Sequence, residues 1–149
     1  MIDQLPDINS LILTNSIVSP VTEHCITETS KRFSLPEMLL KSVLAVESGK
    51  VGEIRLNKNG TYDIGPMQIN SSWLDKFKGY ITKEDILYNG CTNIQVGAWI
   101  LRYNIDKAGN VWQGVGNYHS QTKDKHNVYR DKVLTAMQNF GTVTNKKIS

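Results

Sequence analysis

The chain is predicted to fold as one α+β domain, mainly α, with a single small β-hairpin. Three observations predict this. Apolar residues recur at helical spacing along 35–46, 94–101 and 129–140. Asn59-Gly60, a strong hairpin signal, lies between two short β-like pieces at 54–56 and 61–64. The length of 149 residues, with 40% hydrophobic and 21% charged positions, suits one globular domain around one core.

Taken in order, residues 1–16 are weakly patterned and read as a loose lead-in; the folded domain is placed at 17–140 and a polar tail at 141–149. Ser19-Pro20 is a good helix start, and Val21, Cys25 and Ile26 give a short helix to about Phe33. Ser34 and Glu37 have the spacing of a capping box at the head of the next helix. Its apolar stripe runs through Leu35, Leu39, Leu40, Val43, Leu44 and Val46, with Gly49 as the stop. After the hairpin, short helices are expected at about 71–77 and 82–88 and a longer one from Asn93 to Lys107. A further short helix is expected at 111–118, and the last runs from Asn127 to Phe140 with Tyr129, Val133, Met137 and Phe140 on one face.

Composition excludes several classes. A formal charge of +3 favours approach to an anionic polymer but is too small to argue for nucleic acid. No apolar run reaches the length of a membrane span. There is no Lys or Arg before Lys31, and Leu11-Ile12-Leu13 is too short for the apolar part of a signal peptide, so either a removed leader or another route to the compartment fits. Cys25 and Cys91 lack companions at metal-ligand spacing, and His24, His119 and His126 form no H-x-x-x-H pair, so no metal is expected. One disulfide or two buried thiols fit the two cysteines equally. "NKNGTYD" fails as a calcium loop: with Gly60 at the required glycine, Arg55 and Pro66 fall where acidic ligands belong.

Two carboxyls stand out. Glu47 lies four residues after Val43 and eight after Leu39, so it continues the buried stripe. A carboxyl held against apolar neighbours loses hydration and gains a raised pKa, as a general acid near neutral pH requires. A frayed helix end reaching solvent or a lysine is the alternative. Asp63, on the returning strand, could stand across a cleft as the second group of a glycoside-cleaving pair, or it could brace the turn before Gly65.

"AVESG", "YDIGPMQIN", "NGCTNIQVGAWIL" and "VGNYHSQT…VYRDKV", in that order from about Cys25 to Val133, resemble the soluble lytic transglycosylases. The likeness is to the small lysozyme-like members that accompany type III and type IV secretion, conjugation and pilus systems. The resemblance implies a lysozyme-like fold with a groove between hairpin and helices. It also implies cleavage of the β-1,4 bond between N-acetylmuramic acid and N-acetylglucosamine in peptidoglycan, without a cofactor. Glu47 matches the single catalytic acid and base, with Ser48 beside it. Met67 would lie under a sugar face, Gln68 and Asn70 would belong to the cleft wall, and Tyr118 would place its hydroxyl near the catalytic carboxyl. His119 replaces the family's common asparagine, which leaves that contact open. Cys25 and Cys91 match positions where such members carry a paired disulfide. The resemblance further implies a monomer in the periplasm or cell envelope, with peptidoglycan strands and secretion or conjugation machinery as partners and no nucleic acid. A hydrolytic lysozyme using Glu47 and Asp63, or a catalytically silent peptidoglycan-binding scaffold, are the alternatives.

Overall fold

The computed structural model describes residues 18–120 and 122–148, with side chains through Gly141. The expected lead-in at 1–16 lies outside the described residues. Among the described residues, six α-helices accompany a three-stranded antiparallel sheet: α1 (Glu23–Arg32), α2 (Glu37–Glu47), β1 (Ile54–Leu56), β2 (Tyr62–Ile64), β3 (Ile69–Asn70), α3 (Lys83–Tyr88), α4 (Gly90–Ala108), α5 (Val111–His119) and α6 (Lys123–Ile148). The fold is mainly α, as the sequence predicts.

Helix α4 is the axle. Twelve of its nineteen residues are buried, so it is enclosed on all sides rather than amphipathic. Helices α1, α3 and α5 pack on it, and α2 packs on α6. Leu40, Val43, Ile64, Ile69, Ile94, Leu101, Val115 and Val133 are almost completely buried in the shared core. Each such side chain contributes roughly 1.5–3 kcal/mol by leaving water. The disulfide between Cys25 and Cys91 ties α1 to the first turn of α4, with a Cα–Cα distance of 5.7 Å.

Several boundaries differ from the sequence reading, each for a local reason. Helix α1 starts after Thr22, whose hydroxyl accepts from Cys25 N at 3.1 Å. Ser19 is extended instead: its N–H donates to Tyr88 O, and its carbonyl accepts from Gly90 N at 2.8 Å. The Ser34–Glu37 capping box does not form. Pro36 disfavours helical backbone at Leu35, Ser34 adopts a left-handed φ of 53°, and the Glu37 carboxylate accepts from the Thr27 hydroxyl. The predicted helix at 71–77 is a 3₁₀ turn at Ser71–Trp73 followed by further turns. Helix α6 starts four residues earlier than expected and runs on to Ile148.

The hairpin is present, but its loop spans 57–61, longer than a two-residue Asn-Gly turn, with Gly60 at φ 86°. In register, Arg55 pairs with Asp63 and Asp63 with Asn70, which sets three polar residues side by side across the sheet. The third strand was not read from the sequence. It is held by Asn93 of α4, whose amide oxygen accepts from Met67 N at 2.9 Å while its nitrogen donates to Ile64 O at 2.9 Å and Ile86 O at 3.1 Å.

Candidate active site

A groove of about 1180 Å³ runs between the sheet on one side and α5 and α6 on the other. Glu47, the last residue of α2, lies in it with Ser48, Asp63, Gln68, Asn70, Tyr118 and His119. The helix stops there for two reasons. Ser48, one residue before the expected glycine stop, takes the left-handed conformation at φ 53° and ψ 27°. Gly49 then has no room for a side chain, since a Cβ would collide with the Gly65 carbonyl. Arg55 reaches across from β1 and donates to Glu47 O at 3.3 Å and Ser48 O at 2.9 Å. Its charge satisfies the open carbonyls and complements the negative helix end.

Burial raises the Glu47 carboxyl from its ordinary 4.5 to about 7, with the negative charge of Asp63 pushing the same way; Tyr129 and Arg55 oppose both. Tyr129, on α6, is buried, and its hydroxyl has no partner at full hydrogen-bond geometry among the described residues, so its contact with Glu47 is a loose one. Burial, with Glu47 next in effect, raises Tyr129 far above the ordinary phenol value, and burial likewise keeps Tyr118 protonated. Both phenols therefore remain donors throughout the working range of pH.

Asp63 accepts from Asn70 Nδ2 at 3.0 Å. That amide also donates to Thr61, while its oxygen caps the 3₁₀ turn at Ser72 N. Asn70 is thus an orienting group for Asp63 as well as a wall residue. Gln68, at φ 52°, folds back to donate to Gly65 O at 2.9 Å. His119 is exposed on the groove and stacks on Tyr129 at 4.7 Å, with 6° between the planes. Desolvation lowers its pKa, against the pull of Asp63.

One expected placement changes. Met67 is wholly buried beneath the turn, packed where Gly97 of α4 leaves space, so its side chain cannot meet a sugar. Its carbonyl instead accepts from the Tyr118 hydroxyl at 2.7 Å. Tyr118 therefore anchors the cleft wall to α5, and its hydroxyl, still close enough to Glu47 to feel its charge, is committed to the backbone. The sequence reading also missed Arg55, Tyr129 and Trp73. Tyr129 was assigned to the core face of α6, although its place inside "VYRDKV" was a signal. Trp73 also lines the groove, its ring held edge-on by Trp99 and Tyr103. Among the described residues no cluster of three His, Cys, Asp or Glu could hold a metal ion, and no helix is long and apolar enough to cross a membrane.

The arrangement offers an acid still about half protonated at neutral pH, a fixed anionic neighbour and an open groove, which suits proton donation to a bound polymer. Residues 24–137 match the family model described as the transglycosylase SLT domain. The peptidoglycan-binding-like protein of Escherichia coli O157:H7 is 29% identical over 93% of this chain and 89% of its own length. Invasion protein IagB of Salmonella typhimurium is 33% identical over 72% of this chain and 69% of its own, and protein IpgF of Shigella flexneri is 30% identical over 68% of each. With the match spanning every element from α1 into α6, the chain belongs to the transglycosylase SLT-domain family.

Proposed function

We propose that the protein is a peptidoglycan lytic transglycosylase of the bacterial cell envelope, with Glu47 as its single acid and base. The observation that carries this is the Glu47 carboxyl, raised to about 7 at the end of α2 in an open groove. Protonated Glu47 donates to the oxygen of the N-acetylmuramic acid–β-1,4–N-acetylglucosamine bond, and the bond breaks with positive charge on the muramic ring. Asp63, held by Asn70, stabilises that charge. The Glu47 carboxylate then takes the proton of the muramic 6-hydroxyl as its oxygen closes on the anomeric carbon. A 1,6-anhydro end forms, no water is consumed, and Glu47 ends protonated as it began. Ser48, Gln68 and His119 would contact the sugars from the groove walls, and neither metal nor cofactor enters the scheme.

The likeness to invasion protein IagB fits a role in opening the wall locally for a secretion apparatus; in this reading, which extends to conjugation or pilus machinery, a periplasmic monomer acts on glycan strands. Asp63 favours one second reading, a hydrolytic lysozyme in which water replaces the 6-hydroxyl. A clearing assay on purified cell walls tests catalysis itself. Wild-type protein should clear the suspension, and Glu47→Gln should lose activity by at least the roughly 10²–10⁴-fold due to a general acid. Equal clearing by both would end this mechanism, and no clearing by either would leave a silent binding scaffold.

A further inference from the structure

Helix α6 carries a feature that neither its folding nor the proton chemistry uses. Lys125 and Lys132 both line the groove, one turn before and one turn after Tyr129, and both are exposed. Seven residues of helix separate them, about 10 Å along the axis at ~1.5 Å per residue. Between them on the same wall is Val128, an apolar residue left 56% exposed. Among the described residues neither lysine pairs with a carboxylate.

The position of Lys125 is costly for the helix itself. Lys125 lies in the first turn of α6, where the positive end of the helix dipole disfavours cations and favours anions such as Asp124. A charge placed against local preference, uncompensated and facing a binding groove, indicates a ligand that supplies the counter-charge. The positive potential reaches the site: at His119, burial lowers the pKa most, Asp63 opposes, and Lys125 and Lys132 both add to the lowering.

We propose that Lys125 and Lys132, with Val128 between them, form a binding site for the carboxylate-bearing peptide stems of the glycan strand, so that the enzyme prefers peptide-bearing over stripped glycan. This rests on the reading of the groove as a peptidoglycan cleft. With its stems attached the glycan backbone is uncharged, each muramic lactyl carboxyl being tied up as an amide, whereas the stems carry free carboxylates and alanine methyls. The wall also carries Asp124, but its two cations outnumber that one carboxylate, and with the apolar patch between them they match the stems and not the sugars. Each exposed ion pair is weak, so the pair sets a preference rather than the whole affinity.

The test compares intact sacculi with the same glycan after an amidase has removed the stems and the lactyl carboxylates so freed have been capped as methylamides, which keeps the stripped strand uncharged. In the Glu47→Gln background, cosedimentation reads binding without cleavage; in the active protein, the ratio of kcat/KM on the two substrates reads the same preference. The Lys125→Gln/Lys132→Gln variant should reduce that preference about three- to tenfold, the scale of two exposed charge pairs. Arginine at both positions should keep it, and added salt should erode it in the parent. A preference unchanged in the glutamine variant, or a parent with none, overturns the proposal. Stem-dependent binding by a protein that cleaves neither substrate would leave this site standing and remove the catalytic reading. Cleavage without preference would do the reverse.

Discussion

The raised pKa of Glu47 makes stability depend on pH in a way that one substitution should abolish. The folded protein holds this proton near pH 7 and the unfolded chain near its ordinary 4.5. Stability from this group is therefore fully present below about pH 4.5, declines as pH rises, and is lost above about pH 7. At ~1.36 kcal/mol per unit of pKa, the full difference is about 3 kcal/mol, and water in the open groove will screen part of it. Glu47→Gln keeps the shape of the neutral acid and carries no such linkage. Subtracting wild type from variant cancels every other titrating group. The variant should thus match wild type near pH 4.5 and exceed it by about 1–3 kcal/mol at pH 8.5, a midpoint gain of roughly 2–4 °C per kcal/mol. Urea unfolding at the two pH values, with coincident slopes, measures this directly. A stability gap equal at both pH values would refute the claim that burial holds Glu47 protonated.

Further outcomes follow from the same geometry. Asp63→Asn should slow cleavage strongly with little loss of stability, and it should move the alkaline limb of the pH–rate profile to lower pH, because the charge that raises Glu47 is gone. If Asp63 only braced the turn, stability would fall and turnover per folded molecule would hold. The Cys25–Cys91 bridge closes a long stretch of chain, with a sequence separation of 66. Replacing both cysteines by serine should cost roughly 2–4 kcal/mol. Thiol titration of the denatured, unreduced protein should find no free sulfhydryl, and two free thiols would refute the bridge.

The helical periods were legible because α2 has a buried face that repeats over several turns and because Ile94, Ala98 and Leu101 recur at helical spacing in α4, and the hairpin because Asn59-Gly60 punctuates it. Caps were less so: the backbone at Ser19 is taken by a tie to Tyr88 and Gly90 that no local pattern announces. Strand β3 depends on Asn93, a residue more than twenty positions away whose three hydrogen bonds fix the turn. In the site, Glu47 could be read from one helix because it continues the buried face marked by Val43 and Leu39, four and eight residues earlier. Arg55 and Tyr129 act on it from other elements, so their roles emerge only when the sheet and α6 close over the end of α2. Met67 was misread for a related reason. Its motif neighbours face the groove, but the strained turn at Gly65–Gln68 sends its side chain inward to Gly97.

The central claim is that Glu47, acting alone as acid and then base, ends the reaction on the sugar's own hydroxyl. Mass spectrometry of the fragments released from purified peptidoglycan tests it most directly. The account predicts muropeptides ending in 1,6-anhydro-N-acetylmuramic acid, absent when Glu47→Gln replaces the wild type. Products carrying only reducing ends would contradict it and make the protein a hydrolytic lysozyme working through Glu47 and Asp63.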